Sequence, residues 1–379
     1  MNDIMKPSNT FLITLKDWVF DPEGPNGGGE NATRSVAEEL AKMGYRVIVA
    51  GNLAGPERKI LGVEYWQLGP AYDLYSLMQR TKEIGIFDLL AVERATSLVA
   101  FHKYPLCRNR YLYYHGPTAD AAGLQFSTCS LNADRIFCVS KAQKERLLQG
   151  GADESKVQVL RNAVDTTLFR FEDFSQRDPF KLVFAGVLIF EKGIHVLLNI
   201  FPRLKEIFPQ LTLDVYGRKG GWTLIDNNIS QMEQGIPGLK FKGEVPQATL
   251  AQAFQKAAVC VIPSTSFETC SLVSIDAQAC GCPVVAFGMG AIPEFIHDGR
   301  TGVVIKEVSE QQLFENLRLL LSNPDKLREM NRECRELAGK RTWTDVAKEL
   351  LSGVEQVRKQ ELVTVHAEDA APRITAVNQ

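Results

Sequence analysis

Val261–Val285 reads VIPSTSFETCSLVSIDAQACGCPVV, and the remainder of the chain is best understood as a scaffold for it. Ala258 to Ile262 form an apolar run of strand length. Pro263 ends that run, a polar loop follows, and Ser271 to Cys280 has the pattern of a helix. A strand, a loop and a helix N-terminus in that order receive phosphates in open α/β sheets. Two carboxylates stand out. Glu268 lies in the loop just ahead of the helix, where it can cap the helix or face a ligand held at its end. Asp276 falls beside the apolar face formed by Leu272, Ile275 and Ala279, where a charge is costly unless partners satisfy it. It is either a structural acceptor for buried donors or part of a site.

A Glu, seven residues and a second carboxylate are followed by ACGCPVV, then by Gly290, Pro293, Glu294 and the turn Asp298–Gly299. This pattern resembles the signature of the family 4 retaining glycosyltransferases. The resemblance implies the GT-B fold, an α/β architecture of two Rossmann-like domains facing each other across a cleft. It also implies that Glu268 contacts the donor sugar and that Asp276, one methylene shorter than the usual Glu, binds the ribose. Ser271 stands where the family usually has Gly.

With 379 residues the chain is long enough for two domains, each with its own core. Apolar residues make up 45% and the net charge is −2, which argues against broad nucleic-acid or membrane electrostatics. No apolar run reaches the ~18 residues of a membrane helix. Met1 to Thr10 lacks the apolar core of a signal peptide, so a cytoplasmic location is expected. The eight cysteines are scattered without a C-x-x-C pair and read as reduced, mostly buried thiols. Cys280-Gly-Cys282, even with His297 further on, does not match zinc-ligand spacing.

The first half alternates strand-like runs with amphipathic segments, the rhythm of a parallel sheet. Strands are expected at Phe11–Leu15, Arg46–Ala50, Phe87–Val92, Arg110–Tyr114 and Arg135–Val139, with a helix at Glu30–Met43. Between the first strand and that helix lies a long loop ending in Asn26-Gly-Gly-Gly-Glu30. It is either a flexible turn or a place where backbone N–H groups approach a ligand. The GGGE string resembles the family's glycine-rich loop in the interdomain cleft. His115 follows a strand end beside Gly116 and matches the family's His near the donor sugar, although a lone His there is often structural. Asn162 and Asp165 read as turn formers near the domain junction. Residues 171–179 read as the linker.

The second half opens with the strand LVFAG. Family members usually continue with Gly-Arg and then a Lys-Gly pair whose basic residues hold the diphosphate. Here the residues are Gly186, Val187, Lys192 and Gly193, so the Lys is present at a helix start and the Arg is not. A guanidinium fork can donate to two phosphate oxygens, whereas Val donates nothing. Arg218 or the loop Lys219–Gly221 is the expected replacement, with a plain surface role for Arg218 as the alternative. Trp343 to Gln360 looks like the GT-B helix that returns to the first domain, and 361–379 reads as a disordered tail.

The domains expected are 1–170 on the acceptor side, 180–342 for the nucleotide sugar, and the crossing helix 343–360. The resemblance implies transfer of a sugar, with retention, from a nucleoside-diphosphate sugar to an acceptor hydroxyl. A UDP-sugar is slightly favoured as donor, and no metal or other cofactor is implied. The expected catalytic residues are His115 and Glu268. The expected donor-binding residues are Gly28, Gly29, Gly186, Lys192, Arg218, Ser271, Leu272, Asp276 and Gly290. The acceptor class, whether polysaccharide, glycolipid or small molecule, stays open. Two rivals also stay open: a non-catalytic nucleotide-sugar-binding or partner subunit, and a nucleotide-sugar 2-epimerase. His102–Arg110, with three cations among aromatics, is a candidate for weak peripheral membrane contact, although a solvated loop explains it more cheaply.

Overall fold

The computed structural model describes residues 9–370, apart from 69–73, 94, 117–131, 174, 176, 222–224 and 226. In chain order the first part holds β1 (Thr10–Phe20), α1 (Gly28–Lys42), β2 (Arg46–Leu53), β3 (Arg58–Ile60), β4 (Val63–Gln67), α2 (Leu74–Thr81), β5 (Phe87–Val92), α3 (Ala95–Ala100), β6 (Cys107–Tyr114), β7 (Arg135–Cys138), α4 (Lys141–Gln149) and β8 (Val157–Val159). The second holds β9 (Lys181–Ala185), α5 (Ile194–Ile207), β10 (Thr212–Tyr216), α6 (Ile229–Gly235), β11 (Leu239–Gly243), α7 (Gln247–Lys256), β12 (Val259–Ile262), α8 (Leu272–Ala279), β13 (Val284–Phe287), α9 (Ile292–Phe295), β14 (Gly302–Ile305), α10 (Glu310–Leu321) and α11 (Pro324–Leu337). The last helix is α12 (Trp343–Ala370).

Each part is a sheet with helices on both faces. The first sheet runs β3-β4-β2-β1-β5-β6-β7-β8, parallel except for the β3–β4 pair, and the second runs β11-β10-β9-β12-β13-β14, parallel throughout. Strands covered on both faces must be apolar along their length, and β5, β12 and β13 are buried at every residue. The strand order reverses beside β1/β5 and beside β9/β12. Such switch points open crevices at the carboxyl ends of the strands.

Helix α12 leaves the second part and packs on the first. Val346, Ala347, Leu350, Val354 and Val357 join the core of Phe11, Val36, Leu40 and Phe137. Its Arg358 donates to Asp88 Oδ2 on β5. The helix continues to Ala370, ten residues beyond the expected end at Gln360. Glu361–Ala370 contains neither Gly nor Pro, so nothing local stops a helix already nucleated by packing. The rest of the expected tail lies outside the described residues.

Two further expectations are corrected. Strand β1 runs past Leu15 to Phe20 through a register shift, and Phe20 is buried against Tyr65 of β4, a strand not anticipated from the sequence. The glycine-rich loop is correspondingly shorter, because Gly28 and Gly29 form the first turn of α1 and Gly27 is its N-cap. In the stretch His102–Arg110, named as a candidate for weak membrane contact, His102 and Lys103 are exposed while other members have partners within the domain. Arg110 turns inward to Asp134, while Phe101 and Tyr104 pack against Phe87. Among the described residues no helix is long and apolar enough to cross a membrane.

Candidate active site

The carboxyl ends of β9 and β12 face the start of α1 across a cavity of about 250 Å³ between the two sheets. Gly28, Gly29, His115, Gly186, Lys192, Arg218, Glu268, Ser271 and Leu272 all line it. Asp276 and Gly290 do not.

Local sequence explains how the second-domain wall is built. Strand β12 stops at Pro263, and Ser264, Glu268 and Thr269 stay buried on the way to α8. The Ser271 hydroxyl accepts the Ser274 N–H at 3.3 Å, so it caps its own helix and is already engaged. Leu272 and Val273 follow at the wall, where first-turn amides have no intrahelical partner. The Lys192 turn is pressed against this loop. Gly193 adopts φ +68°, and a Cβ there would lie 1.7 Å from the Pro263 carbonyl oxygen, so only glycine fits.

That pressure brings Lys192 to Glu268. Lys192 Nζ donates to Glu268 Oε1 at 2.7 Å, and the buried Ser264 hydroxyl donates to the same oxygen at 2.5 Å. The arrangement engages Oε1 twice and fixes the carboxylate. Beside it, the loops after β9 and β10 are tied together: the Leu188 N–H donates to the Arg218 carbonyl at 3.0 Å, and Gly186 N–H to that of Tyr216 at 3.0 Å. Val187 and Arg218 therefore stand on the same wall.

The first domain supplies the opposite wall. Gly28 lies against Leu272, so close that an added Cβ would be 3.2 Å from Leu272 Cδ1. The His115 carbonyl accepts the Thr269 hydroxyl at 2.5 Å, and its ring packs edge-on against Tyr113 at 4.1 Å. His115 Nε2 is buried with no partner among the described residues, and burial pushes the imidazole down to about 3. The imidazole is therefore neutral, and His115 as a residue lines the cavity.

Asp276 sits on the second turn of α8, behind the wall. Burial, followed by the neighbouring Asp165, holds its carboxyl well above the usual range. Gly290 buttresses Glu268 from behind: with φ +60°, an added Cβ would lie 2.3 Å from the Glu268 carbonyl oxygen. Among the described residues no three His, Cys, Asp or Glu side chains gather as metal ligands do.

Two family models cover most of the chain. Glycosyltransferase Family 4 matches residues 26–168, and Glycosyl transferases group 1 matches 165–337. The chain belongs to the family 4 glycosyltransferases. Among its relatives, the glycogen synthase of Mycobacterium tuberculosis is 24% identical over 346 residues, covering 84% of this chain and 82% of the relative. Anabaena HepE in complex with UDP and glucose superposes with a TM-score of 0.74 at 17% identity, covering 91% of this chain and 99% of that one. Sucrose-phosphate synthase from Thermosynechococcus elongatus gives 0.73 at 18%, covering 93% and 99%. The glycosyltransferase has the GT-B fold of these structures.

The cavity of this glycosyltransferase also includes residues that the sequence did not single out. Asn162, read as a turn former, is 4% exposed and lines the cavity. It accepts from Tyr113 Oη at 2.9 Å and donates to Cys270 Sγ at 3.5 Å across the domains. Its place in the Asn-Ala-Val-Asp string at the domain junction was the available signal. Ser264 and Thr269 gave none, because their roles are defined by the partners they meet.

Proposed function

We propose that this glycosyltransferase moves a sugar, with retention, from a nucleoside-diphosphate sugar to an acceptor hydroxyl in the interdomain cleft. A UDP-sugar is the favoured donor, a choice supported by the UDP held by Anabaena HepE. The observation that carries the reading is the Lys192–Glu268 pair at the point where the first turns of α1 and α8 converge.

Such a transfer develops positive charge on the sugar and negative charge on the leaving diphosphate. Lys192, Arg218 and the first-turn amides of α8 lie on one wall and would stabilise the diphosphate without reorganising. Arg218 takes the part of the guanidinium missing at Val187. Glu268, with Oε1 engaged twice, offers Oε2 to the sugar hydroxyls. The neutral His115 would face the sugar from the other domain and can donate or accept through one ring nitrogen. Gly28 and Gly29 let the α1 backbone approach the donor, and Gly290 holds the Glu268 loop. For Asp276, the expected ribose contact is decided by UDP affinity in Asp276→Asn: a tenfold loss supports it, and an unchanged value removes it.

The deciding experiment is thermal unfolding of wild type and Glu268→Ala with a panel of nucleoside diphosphates and their sugars, followed by transfer assays with and without a chelator. A ligand at ~100 times its dissociation constant adds about 2.7 kcal/mol. Stabilisation by UDP, a larger shift with one UDP-sugar that Glu268→Ala reduces, and turnover in chelator are expected. A strict divalent-ion requirement would overturn metal independence. Binding without turnover would favour the non-catalytic subunit, a reading motivated by Val187 at the wall.

A further inference from the structure

The Glu294 carboxylate belongs to the second domain, on the one-turn helix α9, yet its partners lie in the first. It accepts the Ala142 N–H at 2.7 Å through Oε1. Through Oε2 it accepts the Lys141 N–H at 3.1 Å and an Arg161 Nη2–H at 2.9 Å. Lys141 and Ala142 are the first two residues of α4, whose third amide is taken by the Ser140 hydroxyl at 3.0 Å. Glu294 thus completes the cap of a helix in the other domain, where backbone amides and the helix dipole favour a carboxylate. Its side chain is only 15% exposed, so separating the domains would strip a buried carboxylate of all three donors at once.

The same short segment is fastened to Glu268. Four residues before Glu294, Gly290 lies flush on the Glu268 main chain, and the next residue, Ala291, donates its N–H to the Glu268 carbonyl at 2.7 Å. Glu294 N–H in turn donates to the Ala291 carbonyl at 2.9 Å. A rigid bridge of five residues therefore joins the interdomain contact to the sugar-side carboxylate. Thr269, next to Glu268, is hydrogen-bonded to the His115 carbonyl from the first domain.

We propose that Glu294 is a positioning residue for transfer. By docking the second domain on the first turn of α4 and on Arg161, it holds the cleft closed and sets Glu268 in register with His115. The proposal rests on the transfer reaction proposed above, and its test separates the two.

Glu294→Ala and Glu294→Gln are compared with wild type in the full chain. The readouts are amide exchange at residues 141–143, the radius of gyration with and without UDP, UDP affinity by calorimetry, and the transfer kcat. In Glu294→Ala, exchange at Lys141 and Ala142 rises tenfold or more and the UDP-bound particle is more extended than wild type. The same variant loses at least tenfold in kcat while UDP affinity stays within threefold. Glu294→Gln, which keeps one acceptor oxygen, recovers part of the kcat and guards against misfolding of the Ala variant. Faster exchange with unchanged kcat or unchanged dimensions would reduce Glu294 to a local helix cap and overturn the proposal, as would unchanged exchange. Loss of UDP affinity parallel to kcat would also overturn it, by moving the effect to the donor site. If wild type itself ignores UDP, the donor reading fails, while exchange and scattering still decide whether Glu294 holds the domains together.

Discussion

Lys192 and Glu268 come from loops 76 residues apart and meet at 2.7 Å, so the cation expected to hold the diphosphate and the carboxylate expected to hold the sugar are one unit. The pair is half open to the cavity: the Lys192 side chain is 35% exposed and Glu268 11%. Under the proposed reading, an entering donor would set phosphate against the ammonium and hydroxyls against the carboxylate.

Removing either member should therefore give different signatures. Lys192→Ala takes away a charge-assisted contact worth about 1.5–3 kcal/mol, so UDP binding should weaken by about 10- to 150-fold. Glu268→Gln keeps the shape and should leave UDP affinity within a few-fold while transfer falls by about 10²-fold or more. Calorimetry with UDP beside steady-state kinetics checks both, and equal losses in the two variants would contradict the assignment.

Arg218 shares a wall with Val187, which makes the replacement of one cation by another testable through rescue. Arg218→Ala should lower UDP affinity by about tenfold, in line with one charged hydrogen bond. Adding Val187→Arg to that variant should restore it. A double variant no better than Arg218→Ala would show that the two positions do not serve the same phosphate.

For His115 the direction of the pH effect is fixed by burial. Its folded value, about 3, lies below the ordinary 6.5. It therefore contributes stability that is present above pH 6.5 and lost as pH falls toward 3. At pH 4 the loss amounts to about 3 kcal/mol. Melting temperatures of wild type and His115→Gln between pH 7 and 4 should converge or cross as wild type falls faster. The pH–rate profile should show no His115 inflection between pH 5 and 8, since the ring stays neutral there.

Asp276 has the opposite sign. Its folded value is raised by burial and by Asp165, so its favourable contribution is complete below the unfolded value near 4 and is lost as pH rises through the folded one. Asp276→Asn should match wild type at pH 4 and exceed it at pH 8. Each unit of upward shift is worth about 1.4 kcal/mol, which corresponds to roughly 3–6 °C in a domain of this size. A variant that melts lower at pH 8 would show that the ionised carboxylate has a partner worth keeping.

Much of this architecture could be read from the residues alone. The buried runs Phe87–Val92 and Val259–Ile262 are strands because an unbroken apolar stretch of that length suits a sheet covered on both faces. Lys192, Gly193, Glu268 and Ser271 could be placed at loop ends because a helix start and the loop ahead of it are local features, whereas the left-handed conformation of Gly193 and the Ser271 cap emerged only in the structure. The strand Val63–Gln67 and the extension of β1 to Phe20 were not legible, since each is stabilised by pairing with a neighbour that periodicity does not name.

The sequence by itself determined two parallel sheets, the strand ends that carry the site and the residue types waiting there, because periodicity and turn chemistry act over a few residues. Only the tertiary structure decided which of those residues meet. It paired Lys192 with Glu268, set Asp276 behind the wall rather than in it, and brought Glu294 to helix α4 some 150 residues away. The physical reason is that hydrogen bonds and ion pairs depend on distance in space, and long-range packing of two domains sets those distances.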